Sequence, residues 1–99
     1  MPDTPPVALV TGSAHRLGAR TVQTLHQRGW NLVIHYRSRA QQAGEFANHL
    51  NRERADSACC IQADLGNGAD IERLAENAIA RWGRLDALIN NASVFYPTP

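Results

Sequence analysis

A glycine-bearing turn is the first segment of this sequence whose residues and spacing could do chemistry. Residues 11–18 read Thr-Gly-Ser-Ala-His-Arg-Leu-Gly, between a short apolar run and a helical pattern. Gly12 permits a tight turn, and Gly18 allows a helix to pack closely on a sheet. Because a helix start presents free N–H groups and a positive dipole end, the segment predicts a pyrophosphate-binding loop. A plain turn followed by a packing glycine fits the same spacing.

A basic and hydroxylic segment follows the second apolar run. It consists of His35, Tyr36, Arg37, Ser38 and Arg39, and no carboxylate occurs between Thr4 and Gly44. Dinucleotide-binding folds that use NAD place an acidic residue here to hold the ribose 2′-hydroxyl, whereas arginine can grip a 2′-phosphate. The segment therefore predicts NADP(H), and it leaves open which of Arg37, Ser38 and Arg39 holds the phosphate. The alternative is a set of ordinary polar residues that open the next helix.

Strand and helix patterns alternate along the chain and would position these residues. Apolar runs predict strands over residues 7–11, 31–36, 57–63 and 86–90, and apolar spacing of three and four predicts helices over about 16–28, about 40–54 and across 71–82. This order predicts an α/β fold, a Rossmann-like doubly wound parallel sheet with right-handed crossovers. We expect one domain over residues 7–99, truncated after the fourth strand, and a flexible tail over residues 1–6.

Four strand exits should meet at one edge of such a sheet, where ligands bind. Besides the two segments above, the exits carry Asp64 and Leu65 after the third strand and Asn90, Asn91, Ala92 and Ser93 after the fourth. Asp64 could contact a ligand bound at this edge, and it also fits a role in capping a turn or a helix. These two roles, ligand contact and capping, are compatible with each other.

Composition excludes several function classes. The chain has 99 residues and a net charge of +1, and all ten of its basic side chains other than histidine are Arg, which excludes any mechanism that needs a lysine in this chain. The adjacent Cys59 and Cys60 would point to opposite faces of a strand, which argues against a disulfide or a metal site and fits a cytoplasmic protein. The sequence predicts neither a secretory signal nor a membrane span. A nucleic-acid module ranks last, because the second half carries eight acids against five arginines.

The motifs together resemble those of a known family. Thr-Gly-x-x-x-Gly-x-Gly is the fingerprint of short-chain dehydrogenases/reductases, and residues 11–18 resemble it with Arg16 in place of the middle glycine. The loop, the His-Tyr-x-x-Ser-like segment and the ending Asn-Asn-Ala-Ser-x-Phe-Tyr-Pro-Thr-Pro are together similar to the pteridine reductases of that family. The resemblance spans about residues 7–99. The segment after strand two is one residue shorter than in protozoan members, and Val94 stands where some members have a second serine.

This resemblance implies an NADPH-dependent reductase of dihydropterin- or dihydrofolate-type substrates. It implies a cofactor site made of Gly12, His15, Arg16, Leu17, Gly18, His35, Tyr36, Arg37, Ser38, Asp64, Leu65, Asn91, Ala92 and Ser93. Asp64 would contact the adenine amino group. Arg16 and Ser93 would contact both cofactor and substrate, and Phe95 would cover one face of the pterin; ordinary packing is the alternative for Phe95.

The family's catalytic pair is a Tyr with a Lys four residues later, and this chain has no such pair. Ala40 follows Tyr36 at that spacing, Tyr96 lies three residues before Pro99, and no lysine occurs. No catalytic residue is therefore predicted here, and we expect the chain to be the N-terminal part of a larger enzyme that forms homotetramers. A reductase of another carbonyl compound and a non-catalytic nucleotide-binding fragment are the alternatives.

Overall fold

Four parallel strands and three helices form the fold in a computed structural model, which describes residues 4–12 and 16–91, with only the backbone of residues 16 and 17. The strands are β1 (Val7–Thr11), β2 (Asn31–Tyr36), β3 (Ala58–Gln62) and β4 (Ala87–Asn90), and the helices are α1 (Arg16–Gln27), α2 (Ala40–Glu53) and α3 (Gly68–Trp82). The strand order is β3-β2-β1-β4, with every pairing parallel. The predicted Rossmann-like α/β fold is confirmed, and each predicted element is present.

The sheet is covered by helices on both of its faces. Alternate residues of β1 and β2 contribute to a cluster with α1 and α2, whose most buried members include Val10, Val22, Ile34 and Leu50. The other residues of the same strands form a second cluster with α3, which includes Leu9, Val33 and Leu74. Burial on both faces explains why β1 reads as an uninterrupted apolar run in the sequence.

The helix ends follow from local backbone chemistry. Gly29 and Gly83, which follow the ends of α1 and α3, adopt positive φ angles of 93° and 78°, a conformation that glycine favours at helix ends. At the start of α3, the Asn67 side chain accepts hydrogen bonds from the backbone N–H groups of Ala69 and Asp70. This cap fixes the beginning of α3 directly after the β3 exit.

The adjacent cysteines lie on opposite faces of the sheet, as predicted. Cys59 packs with the α3 cluster and Cys60 with the α1–α2 cluster, and both are free thiols. Burial raises the pKa of Cys59 to about 11, and burial also raises the pKa of Cys60. Since the thiolate is the reactive form, neither cysteine is suited to nucleophilic chemistry at neutral pH.

A buried polar cluster closes the end of the sheet opposite to the strand exits. The Nε2 atom of His26 lies 2.7 Å from the Ser57 hydroxyl, and that hydroxyl donates to the Arg54 carbonyl. His26 therefore donates to Ser57 from Nε2. Arg54 in turn donates to the carbonyls of His26 and Trp30 at 2.9 and 2.6 Å, so that α1, α2 and the starts of β2 and β3 are joined.

Acidification is expected to lower the free energy of unfolding through His26. Burial lowers the pKa of His26 below its usual 6.5, with a further lowering by Arg54 that outweighs the opposing effect of Glu53. Because the unfolded chain binds the proton more tightly, the contribution of His26 is complete above pH 6.5 and falls as the pH drops below that value. The free energy of unfolding, measured with urea at pH values above and below 6.5, should therefore change less with pH in His26→Gln than in the parent. Glutamine keeps a donor toward Ser57 but does not titrate. An equal change with pH in both proteins would contradict this role of His26.

Within residues 4–12 and 16–91, no helix is long and apolar enough to span a membrane.

Candidate functional site

The strand exits lie together along one edge of the sheet. Thr11 pairs with Asn90 across β1 and β4, and Tyr36 pairs with Gln62 across β2 and β3, so that all four strands end at a similar level. The order of the strands reverses between β1 and β4, which is the point where open α/β sheets hold their ligands. The four strand exits therefore lie side by side, as predicted.

Gly12 ends β1 in a conformation that glycine favours. Its φ angle is 66°, it is buried, and α1 begins four residues later at Arg16. The first turn of α1 has no acidic residue, and Gly18 within it is buried. A residue with a side chain would be strained in the conformation of Gly12. The tight turn that this glycine permits and the helix start that follows it fit the predicted anion site. His15 lies outside the described residues, and only the backbone of Arg16 and Leu17 is described.

The His35 side chain lies inside the protein, behind the turn. It is 3% exposed, its Nδ1 atom accepts a hydrogen bond from the Gly12 N–H at 3.1 Å, and its Nε2 atom lies 2.9 Å from the Ala63 carbonyl. Since the Gly12 N–H can only donate and the Ala63 carbonyl can only accept, the imidazole is neutral and carries its proton on Nε2. The sequence predicts His35 among the cofactor residues, but both of its ring nitrogens are already bonded to the protein.

The three polar residues after β2 are exposed and lie immediately before α2. Arg37, Ser38 and Arg39 form no ion pair within the described part of the chain, and the first turn of α2 holds no acid. The Gln62 side chain donates to the Arg37 carbonyl at 3.2 Å and so supports the turn. Two cations and a hydroxyl are thus presented to solvent at the β2 exit, whereas Tyr36 is half-buried against the α1–α2 cluster.

Asp64 and Leu65 form the turn after β3. The Asp64 Oδ1 atom accepts from the Gly66 N–H at 2.9 Å, and the Asp64 N–H donates to the Asp70 carboxylate at 2.8 Å. The turn-forming role left open for Asp64 is therefore present. Leu65 packs against the α3 cluster. The Ala63 N–H, one residue before Asp64, donates to the Tyr36 carbonyl at 3.1 Å and so places this turn beside the β2 exit.

A hydroxyl–amide network joins β1, β4 and α1. Thr11 Oγ1 donates to Asn90 Oδ1 at 2.7 Å and accepts from the Asn91 N–H at 3.1 Å, while the Asn91 amide donates to the Thr21 hydroxyl at 3.3 Å. Thr11, Thr21 and Asn90 are residues that the predicted site did not include. No local pattern in the sequence indicates these contacts, because they depend on β4 lying beside β1. Ala92, Ser93 and Phe95 lie outside the described residues.

The described strand exits present groups that can bind a phosphate-bearing ligand. Across residues 4–12 and 16–91, no group of three or more His, Cys, Asp or Glu side chains could hold a metal ion. What the described exits offer is a glycine turn, a helix start, exposed arginines and amide groups. These are the components with which a parallel sheet binds a phosphate-bearing nucleotide.

Comparison with known proteins supports this interpretation. Residues 6–99 match the short chain dehydrogenase family. Pteridine reductase 1 of Leishmania tarentolae is 41% identical over 97% of this chain and 39% of its own length. Tetrahydroxynaphthalene reductase of Pyricularia oryzae is 32% identical over 89% of this chain and 31% of its length, and tropinone reductase-like 1 of Erythroxylum coca is 32% identical over 89% and 30%.

The chain thus spans between about a third and two fifths of the length of these relatives. The match to the family covers nearly the whole chain. Membership of this family implies a nicotinamide cofactor, NAD or NADP. The fold and the strand order agree with it. The chain belongs to the short-chain dehydrogenase family.

Proposed function

We propose that the complete protein is an NADPH-dependent reductase of pterin- or folate-type substrates and that this chain supplies most of its cofactor site. The observation that carries the cofactor assignment is the exposed group of Arg37, Ser38 and Arg39 at the β2 exit, with no acidic residue in the following helical turn. A ribose 2′-phosphate needs cations and hydroxyl donors, whereas a free 2′-hydroxyl is normally held by a carboxylate.

The residues fit a dinucleotide in an extended arrangement across the sheet edge. Gly12 and the start of α1 would hold the pyrophosphate, and Asp64 and Leu65 would line the adenine. Asn91, Ala92 and Ser93 would approach the nicotinamide, and His15, Arg16, Leu17 and Gly18 would complete the phosphate loop. When bound, the cofactor supplies a hydride. The contribution of this chain is to bind and orient that group.

The substrate class rests on sequence similarity. Arg16, Ser93 and Phe95 match the residue types that pteridine reductases use, and the relative with 41% identity is a pteridine reductase. Phe95 would stack on one face of a flat heteroaromatic ring, while Arg16 and Ser93 would hold its polar edge. Reduction of another carbonyl compound is the second candidate, because the tetrahydroxynaphthalene and tropinone reductase-like relatives match at 32% identity.

The proton donor is proposed to lie outside these 99 residues, since the chain contains no lysine to activate a tyrosine. We accordingly expect the 99-residue chain to be inactive by itself. For the complete protein we propose a cytoplasmic homotetramer with no nucleic-acid or membrane partner.

Cofactor oxidation by the protein expressed from its full reading frame tests this proposal. We expect NADPH to be oxidised with a dihydropterin or dihydrofolate, faster than with simple ketones, and NADH to be a poor substitute. Failure to turn over any pterin, with ketones reduced, would favour the second candidate. Tighter binding of NADH than of NADPH would overturn the cofactor assignment.

A further inference from the structure

One buried imidazole connects three of the four strand exits. His35 is the penultimate residue of β2, its ring bonds to Gly12 at the β1 exit, and its other nitrogen bonds to Ala63 at the β3 exit. The Ala63 N–H donates to the Tyr36 carbonyl at 3.1 Å, which ties the β3 exit a second time to β2. The ring is therefore a crosslink between the turn that leaves β1 and the turn that leaves β3.

The bond to Gly12 is important because of two features of that residue. Its positive φ angle directs the chain out of the sheet toward α1, and its N–H is buried and needs an acceptor. The sheet does not supply that acceptor, since the β1–β2 pairing ends at Val10 and Ile34 and the β1–β4 pairing ends at Thr11 and Asn90. The Nδ1 lone pair of His35 fills the gap and fixes the orientation of the peptide from which the loop begins.

We propose that His35 is a positioning residue, which holds the phosphate-binding turn at Gly12 through its neutral imidazole and makes no contact of its own with the cofactor. The inference rests on the proposed function, because it concerns the turn that would hold the pyrophosphate. It assigns His35 a role different from that of a cofactor ligand. The Nε2 bond to Ala63 serves to keep the ring in the tautomer whose Nδ1 accepts.

Two substitutions separate the halves of this crosslink. The amide of His35→Asn lies near the position of Nδ1 and retains an acceptor for Gly12, whereas the amide of His35→Gln reaches toward Ala63 and leaves the Gly12 N–H unpaired. The probes are NADPH, which contains a pyrophosphate, and adenosine 2′-monophosphate, which does not. Both are titrated against the protein expressed from its full reading frame, and His49→Gln, an exposed histidine of α2, is the control.

We expect His35→Gln to weaken NADPH binding about tenfold, as the loss of one buried hydrogen bond implies, and to leave adenosine 2′-monophosphate within about twofold. His35→Asn should recover most of the NADPH affinity, and His49→Gln should bind both probes as the parent does. Equal weakening of both probes, or unchanged NADPH binding in a folded His35→Gln, would overturn the proposal. Failure of both His35 variants to fold would assign the residue a purely structural role. An unmodified protein that binds no NADPH would instead refute the proposed function.

Discussion

Replacing Arg37 and Arg39 together by aspartate is expected to weaken NADPH binding about 100-fold while NADH binding changes by less than about threefold. Each guanidinium that contacts the 2′-phosphate makes a charge-assisted hydrogen bond, and each aspartate adds repulsion of the phosphate. Both side chains are exposed and without an ion pair in the described structure, so that their loss should not unfold the protein. An aspartate at this exit can also accept from a ribose 2′-hydroxyl, which favours NADH.

The matched control for this experiment is Arg52→Asp. Arg52 is exposed in the last turn of α2, at the opposite end of the helix from Arg39. The charge change per substitution is the same, and NADPH affinity should stay within about twofold of the parent because screening weakens interactions over that distance. Single variants at positions 37 and 39, together with Ser38→Ala, then apportion the effect. The cofactor assignment would be refuted if the double variant lost NADPH and NADH affinity equally.

The strand and helix pattern could be predicted because the sheet is buried on both faces. Residues of β1 and β2 are almost wholly buried, so that each strand is a short continuous apolar run, and glycines mark the ends of α1 and α3. The placement of chemistry at the strand exits followed from the parallel arrangement alone. Local patterns of this kind need no knowledge of which strand lies beside which.

The partners of individual polar side chains could not be predicted in the same way. His35 reaches Gly12 and Ala63 only because β2 lies between β1 and β3, and Thr11 reaches Asn90 only because β4 is on the other side of β1. Strand order is a property of the whole chain, and the alternation of strand and helix patterns along the sequence does not encode it. The sequence therefore identifies His35 as a residue of the site, but not the direction in which its ring points.

Helical periodicity also does not predict how much of the apolar face of a helix is buried against the sheet. The apolar positions of α3 include Ile71 and Ile79, yet these residues are 44% and 47% exposed, whereas Leu74 and Ala78 of the same pattern are buried. Packing on the sheet covers only the central stripe of the helix. The sequence gives the apolar stripe, and the neighbouring strands determine how much of it is buried.

Asn51→Ala is expected to lower the free energy of unfolding by about 3 kcal/mol, as the loss of partners for several buried backbone groups implies. Asn51 lies in α2, and its Oδ1 atom accepts from the N–H groups of Ser57 and Ala58 at 2.9 and 3.0 Å. Its Nδ2 atom donates to the Ala58 carbonyl at 2.9 Å. Ser57 and Ala58 are 0% and 3% exposed, so that water cannot readily replace the amide at this side of the molecule.

Asn48→Ala provides a matched control, because Asn48 is exposed on the same helix and undergoes the same chemical change. Alanine is the better helix former by about 0.5 kcal/mol, so the control should be neutral or slightly stabilising. Urea unfolding of both variants measures the difference, and Asn51→Asp, which keeps the acceptors but loses the donor to Ala58, should fall between them. Equal stability of Asn51→Ala and Asn48→Ala would mean that the start of β3 finds its hydrogen bonds elsewhere. In that case the buried contacts of α2 with β3 and the hydrogen bond from Ser57 to the Arg54 carbonyl, rather than the Asn51 amide, would hold the end of α2 to the edge strand.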